Sequence, residues 1–163
     1  NILALARSGR PTEPRETADL FALAASLVEE YEDLGEPVML EPGERIKVPL
    51  RGAWLKGAMR NLIDNALRYG GAARVSLTRE NGMAVIRVDD DGPGIPEADM
   101  ASMLKPFVRG EPSRNSATGV AGLGLALAKA IAGQHGGALE LSNRRAPGGS
   151  IAGLSAVLRL PLA

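Results

Sequence analysis

Apolar residues recur along this chain with two periods, and those periods divide it into helices and strands. After Thr17-Ala18-Asp19, apolar positions at Leu20, Leu23, Ala24, Leu27 and Val28 keep helical spacing, and Gly35-Glu36-Pro37 stops the pattern. Two short strands follow at 38–41 and 45–49, around the turn Pro42-Gly43. The clearest helix comes next. Leu55, Ala58, Met59, Leu62, Ile63, Ala66 and Leu67 line one face, and Gly70-Gly71 ends it. Alternation then switches to period two over 74–79 and 83–89. Asn81-Gly82 lies between them, which predicts a hairpin. From 96 to 121 the periodicity lapses, and a stretch that long inside a small domain is usually functional or disordered. A helix resumes at 122–135 before Gly136-Gly137. Strands at 138–142 and 151–160 close the pattern around Pro147-Gly148-Gly149. The sum is an α+β fold, a two-layer sandwich with a mixed, mostly antiparallel sheet, about three helices on one face and a long lid.

Composition adds limits. A chain of 163 residues that is 45% hydrophobic buries one proper core. Nineteen basic and 19 acidic side chains cancel, so bulk charge draws the domain to neither nucleic acid nor an anionic membrane. No apolar run approaches the roughly 20 residues needed to span a bilayer. With no cysteine there are no disulfides or thiolate metal sites. Aromatics at 3% argue against base-stacking platforms. Residues 1–8 read as the end of a helix belonging to an upstream segment, and 10–15 as a linker, so the chain reads as an excised fragment. The core domain is expected over 16–163.

Three segments carry candidate chemistry. On the helix at 55–69, Asn61, Asn65 and Arg68 share a polar stripe at i, i+4 and i+7. Amide oxygens are hard ligands that suit Mg²⁺, and a guanidinium binds phosphate oxygens through two parallel hydrogen bonds. Two asparagines alone more often make a solvated face. At the end of a strand stands Asp89-Asp90-Asp91-Gly92-Pro93-Gly94-Ile95-Pro96, where glycines let the backbone approach a flat ligand and a carboxylate can accept from a purine amino group. Such strings also make plain turns. The third segment, Gly119-Val120-Ala121-Gly122-Leu123-Gly124-Leu125, opens a helix, where free backbone N–H groups can hold phosphate. It lacks the Gly-Lys-Ser/Thr of a P-loop and the βαβ setting of a Rossmann fingerprint.

Their order is more telling than any one of them. Asn61-Leu62-Ile63-Asp64-Asn65-Ala66-Leu67-Arg68-Tyr69, then 90–94, then Leu104-Lys105-Pro106-Phe107-Val108-Arg109-Gly110, then Gly122-Leu123-Gly124-Leu125 resembles the histidine-kinase branch of the gyrase, Hsp90, histidine kinase and MutL superfamily of ATP-binding domains. Pro147-Gly148-Gly149-Ser150 is similar to the glycine turn before its last strand. Pro106-Phe107-Val108-Arg109-Gly110 is especially like EnvZ-type osmosensing kinases. The resemblance implies that Asn65 ligates Mg²⁺ with help from Asn61, that Arg68 meets the terminal phosphates, and that Tyr69 packs beside adenine. It implies that Asp90 accepts from the adenine amino group, with Gly92, Gly94 and Ile95 beside the ring. Phe107 anchors the lid, Arg109 and Arg114 are its cations, and Gly122, Leu123, Gly124 and Leu125 line the phosphates. Catalysis then falls to Asn61, Asn65 and Arg68. ATP and Mg²⁺ are the implied cofactors. The implied partners are a dimerisation and histidine phosphotransfer domain absent from this chain and a response regulator. The implied location is the cytoplasmic side of an inner-membrane sensor.

Two features depart from the family pattern or qualify it. Val120 and Ala121 stand where relatives carry glycine and a polar residue, and valine does not easily take a positive φ. ATP-hydrolysing relatives place a water-activating glutamate where Asn61 stands, which favours a kinase. His135, the single histidine, closes a helix and reads as a structural C-terminal residue, a position where a protonated ring interacts well with the helix dipole; Trp54 likewise reads as packing. A degenerate regulatory module, a superfamily ATPase and a serine-kinase anti-sigma factor on the same fold remain as alternatives.

Overall fold

The computed structural model describes residues 14–104 and 115–162, and for 115–123 the backbone alone. Phe107, Arg109, Arg114 and the upstream helix remnant lie outside the described residues.

The chain enters through strand β1 (Glu16–Asp19) and turns into helix α1 (Leu20–Asp33). Asp19 makes that turn: its Oδ1 accepts from the N–H groups of Phe21 at 3.0 Å and Ala22 at 3.3 Å, satisfying donors that the first turn leaves free. Strands β2 (Val38–Leu40) and β3 (Lys47–Leu50) follow, then helix α2 (Gly52–Gly70). Strands β4 (Ala73–Glu80) and β5 (Met83–Asp89) form the expected hairpin, its turn held by Asn81 at φ 52° and Gly82 at φ 78°. After short helix α3 (Met100–Met103) come helix α4 (Asn115–Gln134) and the closing strands β6 (Ala138–Arg145) and β7 (Ile151–Pro161).

Five strands form the main sheet in the order β2-β4-β5-β7-β6. Only the β2–β4 pair is parallel, so the sheet is mixed and mostly antiparallel, as expected. The pleat sends Val75, Leu77, Ile86, Val88, Ala156, Leu158 and Leu160 to one face, where they join Leu27 of α1, Leu55, Met59, Leu62 and Ile63 of α2 and Leu125 and Ile131 of α4 in one core. Each large side chain buried there contributes about 1.5–3 kcal/mol.

Two expectations change. The strands near 38–41 and 45–49 do not pair around Pro42-Gly43. β2 runs parallel to β4, whereas β3 pairs antiparallel with β1 in a separate two-stranded sheet. Pro49 lacks an N–H and is suited to such a small edge sheet. The helix expected from 122 begins at Asn115, within the stretch expected to be irregular, and runs through Val120 and Ala121. With neither glycine nor a turn residue at those two positions, nothing there obliges the backbone to leave the helix.

Helices α2 and α4 run antiparallel, and His135 locks one end of the pair. Only 1% exposed, its ring places Nδ1 2.8 Å from the Ile131 carbonyl, while Nε2 accepts from the Arg51 N–H at 2.9 Å. Arg51, the residue before α2, in turn donates to the Gln134 carbonyl at 3.1 Å. With Nε2 accepting and Nδ1 facing a carbonyl, the ring bridges the two helix ends, in keeping with the structural role expected of it. His135→Ala should lower unfolding stability by about 2–4 kcal/mol, through lost volume and the Arg51 N–H deprived of its ring acceptor. Urea denaturation checks this, and a wild-type midpoint would mean that the helix ends are held in some other way.

Candidate functional site

The C-terminal half of α2, the N-terminal half of α4 and the end of β5 converge. A Cβ on Gly124 would sit 3.5 Å from Asn61 Cβ and Cγ, so α4 crosses α2 at the amide stripe. At the other side of α2, the Tyr69 and Gly70 backbone packs on the loop after β5. A Cβ on Gly92 would come within 2.5 Å of the Tyr69 carbonyl oxygen, so only glycine fits there. Gly94 takes φ +71° and lies against Asn143 and Ile151.

The three consecutive aspartates are sorted by the strand. Asp91 is exposed and ion-paired: Arg74 grips it through two nitrogens at 2.9 and 3.1 Å, and Arg144 adds a third contact at 2.8 Å. Those guanidiniums hold its pKa down to about 2. Asp89 pairs across the sheet with Arg74 and Ser155. Asp90 turns inward and is the most buried of the three at 3% exposed. Its Oδ1 accepts from Gly92 N–H at 2.8 Å and Leu154 N–H at 3.3 Å. Oδ2 has no hydrogen bond among the described residues. Burial pushes the Asp90 pKa above its ordinary value, and the two N–H groups oppose that shift only in part.

Asn65 is 7% exposed, and its Oδ1 is buried with no hydrogen-bond partner among the described residues. A buried acceptor left unpaired costs about 1–3 kcal/mol, and such exceptions call for an explanation. Among the described residues there is no group of three or more His, Cys, Asp and Glu that could hold a metal ion. A hard amide oxygen therefore fits an ion such as Mg²⁺ that draws most of its shell from phosphate and water.

The remaining expected residues divide. Asn61 is half-buried beneath Gly124, Arg68 is exposed on α2, and Tyr69 is 38% exposed. Leu125 lies in the apolar core and not on a ligand-facing surface. Gly122 and Gly124 lie inside α4 and not at its start, so their N–H groups fall within the helical ladder. Trp54 packs against the core, as expected.

Sequence reading missed Asn143 and Arg144. They stand about fifty positions after the aspartate loop, and only the β6–β7 pairing brings them to it. Also missed was the cluster on the outer face of α2, where Lys56 and Arg60 pair with Glu30 at 2.6 and 3.0 Å. Beside it the Tyr31 hydroxyl donates to Asp64 at 2.5 Å, tying α1 to the helix that carries the asparagines.

Comparison with known proteins agrees with this arrangement. The family model described as histidine kinase-, DNA gyrase B-, and HSP90-like ATPase matches residues 51–163. The sensor histidine kinase GtrS of Pseudomonas aeruginosa is 39% identical over 152 residues, covering 90% of this chain and 29% of that protein. Among solved structures, the histidine kinase domain of the E. coli osmosensor EnvZ is 36% identical with a TM-score of 0.66, covering 94% of this chain and 92% of that one. The ATP binding domain of PrrB from Mycobacterium tuberculosis is 26% identical with a TM-score of 0.72, covering 93% and 99%. This chain spans about a third of the length of the curated relatives it matches.

Proposed function

The chain belongs to the family of histidine kinase-, DNA gyrase B- and HSP90-like ATPases, and on that premise we propose that it is the part of a sensor histidine kinase that binds Mg-ATP and hands the γ-phosphoryl group to a histidine on a separate dimerisation domain. A response regulator then receives the phosphoryl group. The observation that carries this reading is Asp90: a buried carboxylate with one oxygen anchored by backbone and the other without a hydrogen bond among the described residues, beside Gly92 and Gly94. A neutral purine amino group is the kind of donor such an acceptor suits.

Asn65 and Asn61 would hold Mg²⁺, which when bound neutralises phosphate charge. Arg68 meets the terminal phosphate oxygens and Tyr69 stacks beside the base. The lid cations are Arg109 and Arg114. Gly122 and Gly124 reach phosphate with their N–H groups once the first turns of α4 unwind. Glycines at 119, 122 and 124 make that inexpensive, each being about 1 kcal/mol poorer than alanine in a helix. In the transfer, an imidazole nitrogen supplies the electron pair for a new N–P bond as the bond from γ-phosphorus to the bridging oxygen breaks and ADP leaves. Asn61 supports a positioned nucleophile over water, because an amide cannot accept a proton from water at neutral pH. Among the described residues no helix is long and apolar enough to cross a membrane. Separately from that, membership of a sensor kinase implies a location on the cytoplasmic side of an inner-membrane sensor.

The test is calorimetric titration of ATP with and without Mg²⁺, followed by incubation with labelled ATP and a supplied dimerisation domain. Saturable, Mg²⁺-sensitive binding and label on histidine are expected. Steady phosphate release without acceptor would replace this reading with an ATPase.

A further inference from the structure

Strands β6 and β7 pair in register as far as Arg144 opposite Gly153 and then slip, leaving Arg145 opposite Ile151. Irregularities of this kind re-aim side chains beside functional sites. Here Asn143 turns both ends of its amide onto one residue of the aspartate loop. Ile95 N–H donates to Asn143 Oδ1 at 2.8 Å, and Asn143 Nδ2 donates to the Ile95 carbonyl at 2.7 Å. This two-bond clasp copies a strand pair with a side chain. The neighbouring Arg144 donates to the main-chain carbonyl of Asp90 at 2.8 Å, so the loop is held at both ends by adjacent residues of one strand. It also lies hard against the clasp, since a Cβ on Gly94 would collide with the Asn143 amide oxygen.

We propose that Asn143 is a positioning residue for base recognition. It fixes the backbone from Gly92 to Ile95 at the height where a purine ring meets Asp90, and so sets affinity and selectivity for adenine without being needed to touch the nucleotide. The inference rests on the reading that Asp90 accepts from the adenine amino group. A loop not held in advance must be ordered at binding, and that cost falls on every ligand contact the loop makes. Contacts to the phosphates, assigned above to α2, α4 and the lid cations and not to this loop, are spared.

The experiment measures dissociation constants for ATP, GTP and inorganic triphosphate with wild type, Asp90→Ala and Asn143→Ala, alongside unfolding midpoints. Asn143→Ala is expected to weaken ATP about tenfold, as loss of the two bonds to Ile95 allows, the long 3.5 Å contact to Glu97 adding little. It should also narrow the preference for ATP over GTP and leave triphosphate binding unchanged. Should the alanine variant not fold, Asn143→Asp carries the test, because it keeps the acceptor for Ile95 N–H and withdraws the donor. Wild-type affinity and selectivity in the variant overturn the proposal. So does equal weakening of ATP and triphosphate with a lowered midpoint, which marks a merely structural role. A wild type whose ATP affinity is indifferent to Asp90→Ala overturns the parent reading instead, and this inference with it.

Discussion

Alanine at position 90 should weaken ATP binding by about ten- to a hundredfold, the loss that removing a charged hydrogen-bond acceptor brings. The substitution also releases the N–H groups of Gly92 and Leu154, which share Oδ1. Asp90→Asn separates the two effects. Its amide oxygen keeps both backbone donors, while the nitrogen replaces Oδ2 and turns an acceptor into a donor. That variant should stay as stable as wild type, lose ATP and gain relative affinity for GTP, whose six-position carbonyl accepts. Acid should act like the substitution. Burial raises the Asp90 pKa, so the accepting carboxylate is fully present above that raised value and is lost as pH falls through it. ATP affinity should therefore decline with acid at a higher pH than an ordinary aspartate dictates, and the Asn variant should lack that limb. Calorimetry across pH reads both, and an unchanged dissociation constant in either variant would remove adenine from this position.

Leucine at position 65 should separate function from stability in opposite directions. Asn65 holds a buried oxygen that no hydrogen bond satisfies among the described residues. Replacing it with an apolar side chain of similar volume removes that desolvation cost, so Asn65→Leu should raise nucleotide-free stability by about 1 kcal/mol. The same variant should lose the Mg²⁺-dependent increment of ATP binding and at least a hundredfold in phosphoryl transfer. That figure follows because disturbing groups merely behind a metal's ligands already costs about 10–100-fold. A function paid for in stability is common at active sites. A variant less stable than wild type, with its Mg²⁺ response intact, would make Asn65 a packing residue.

What the residue pattern made legible was local. The stripe from Leu55 to Leu67 located α2 within a turn, because a helix facing a core must repeat its apolar positions. Asn81-Gly82 located the β4–β5 turn, because both residues tolerate a positive φ. The choice of Asp90 from three neighbouring aspartates also agrees with the strand's alternation, which turns it inward. Pairing between distant segments was not legible. Nothing near Val38 shows that its partner is Ala73, or that β3 belongs with β1. Asn143 carries no local signal for the same reason: its partner Ile95 is chosen by sheet register and not by neighbours in sequence. The start of α4 was misjudged because apolar periodicity lapses before 122, and Gly122 read as the opening of the helix. A helix tolerates glycine wherever its neighbours favour continuation, as Ala117 and Ala121 do.

The His135 bridge has a mechanical consequence. It is a fulcrum at one end of two antiparallel levers, each about 30 Å long, and the loads sit toward the other end. A scissoring of about 5° at the bridge would swing the distal tips of α2 and α4 by roughly 2–3 Å, comparable to the reach of a hydrogen bond. Arg15, where the chain enters the domain, donates to the carbonyl of His135 itself at 3.5 Å. That contact falls at the pivot itself and not on either lever arm, so it leaves the two helices free to scissor about it.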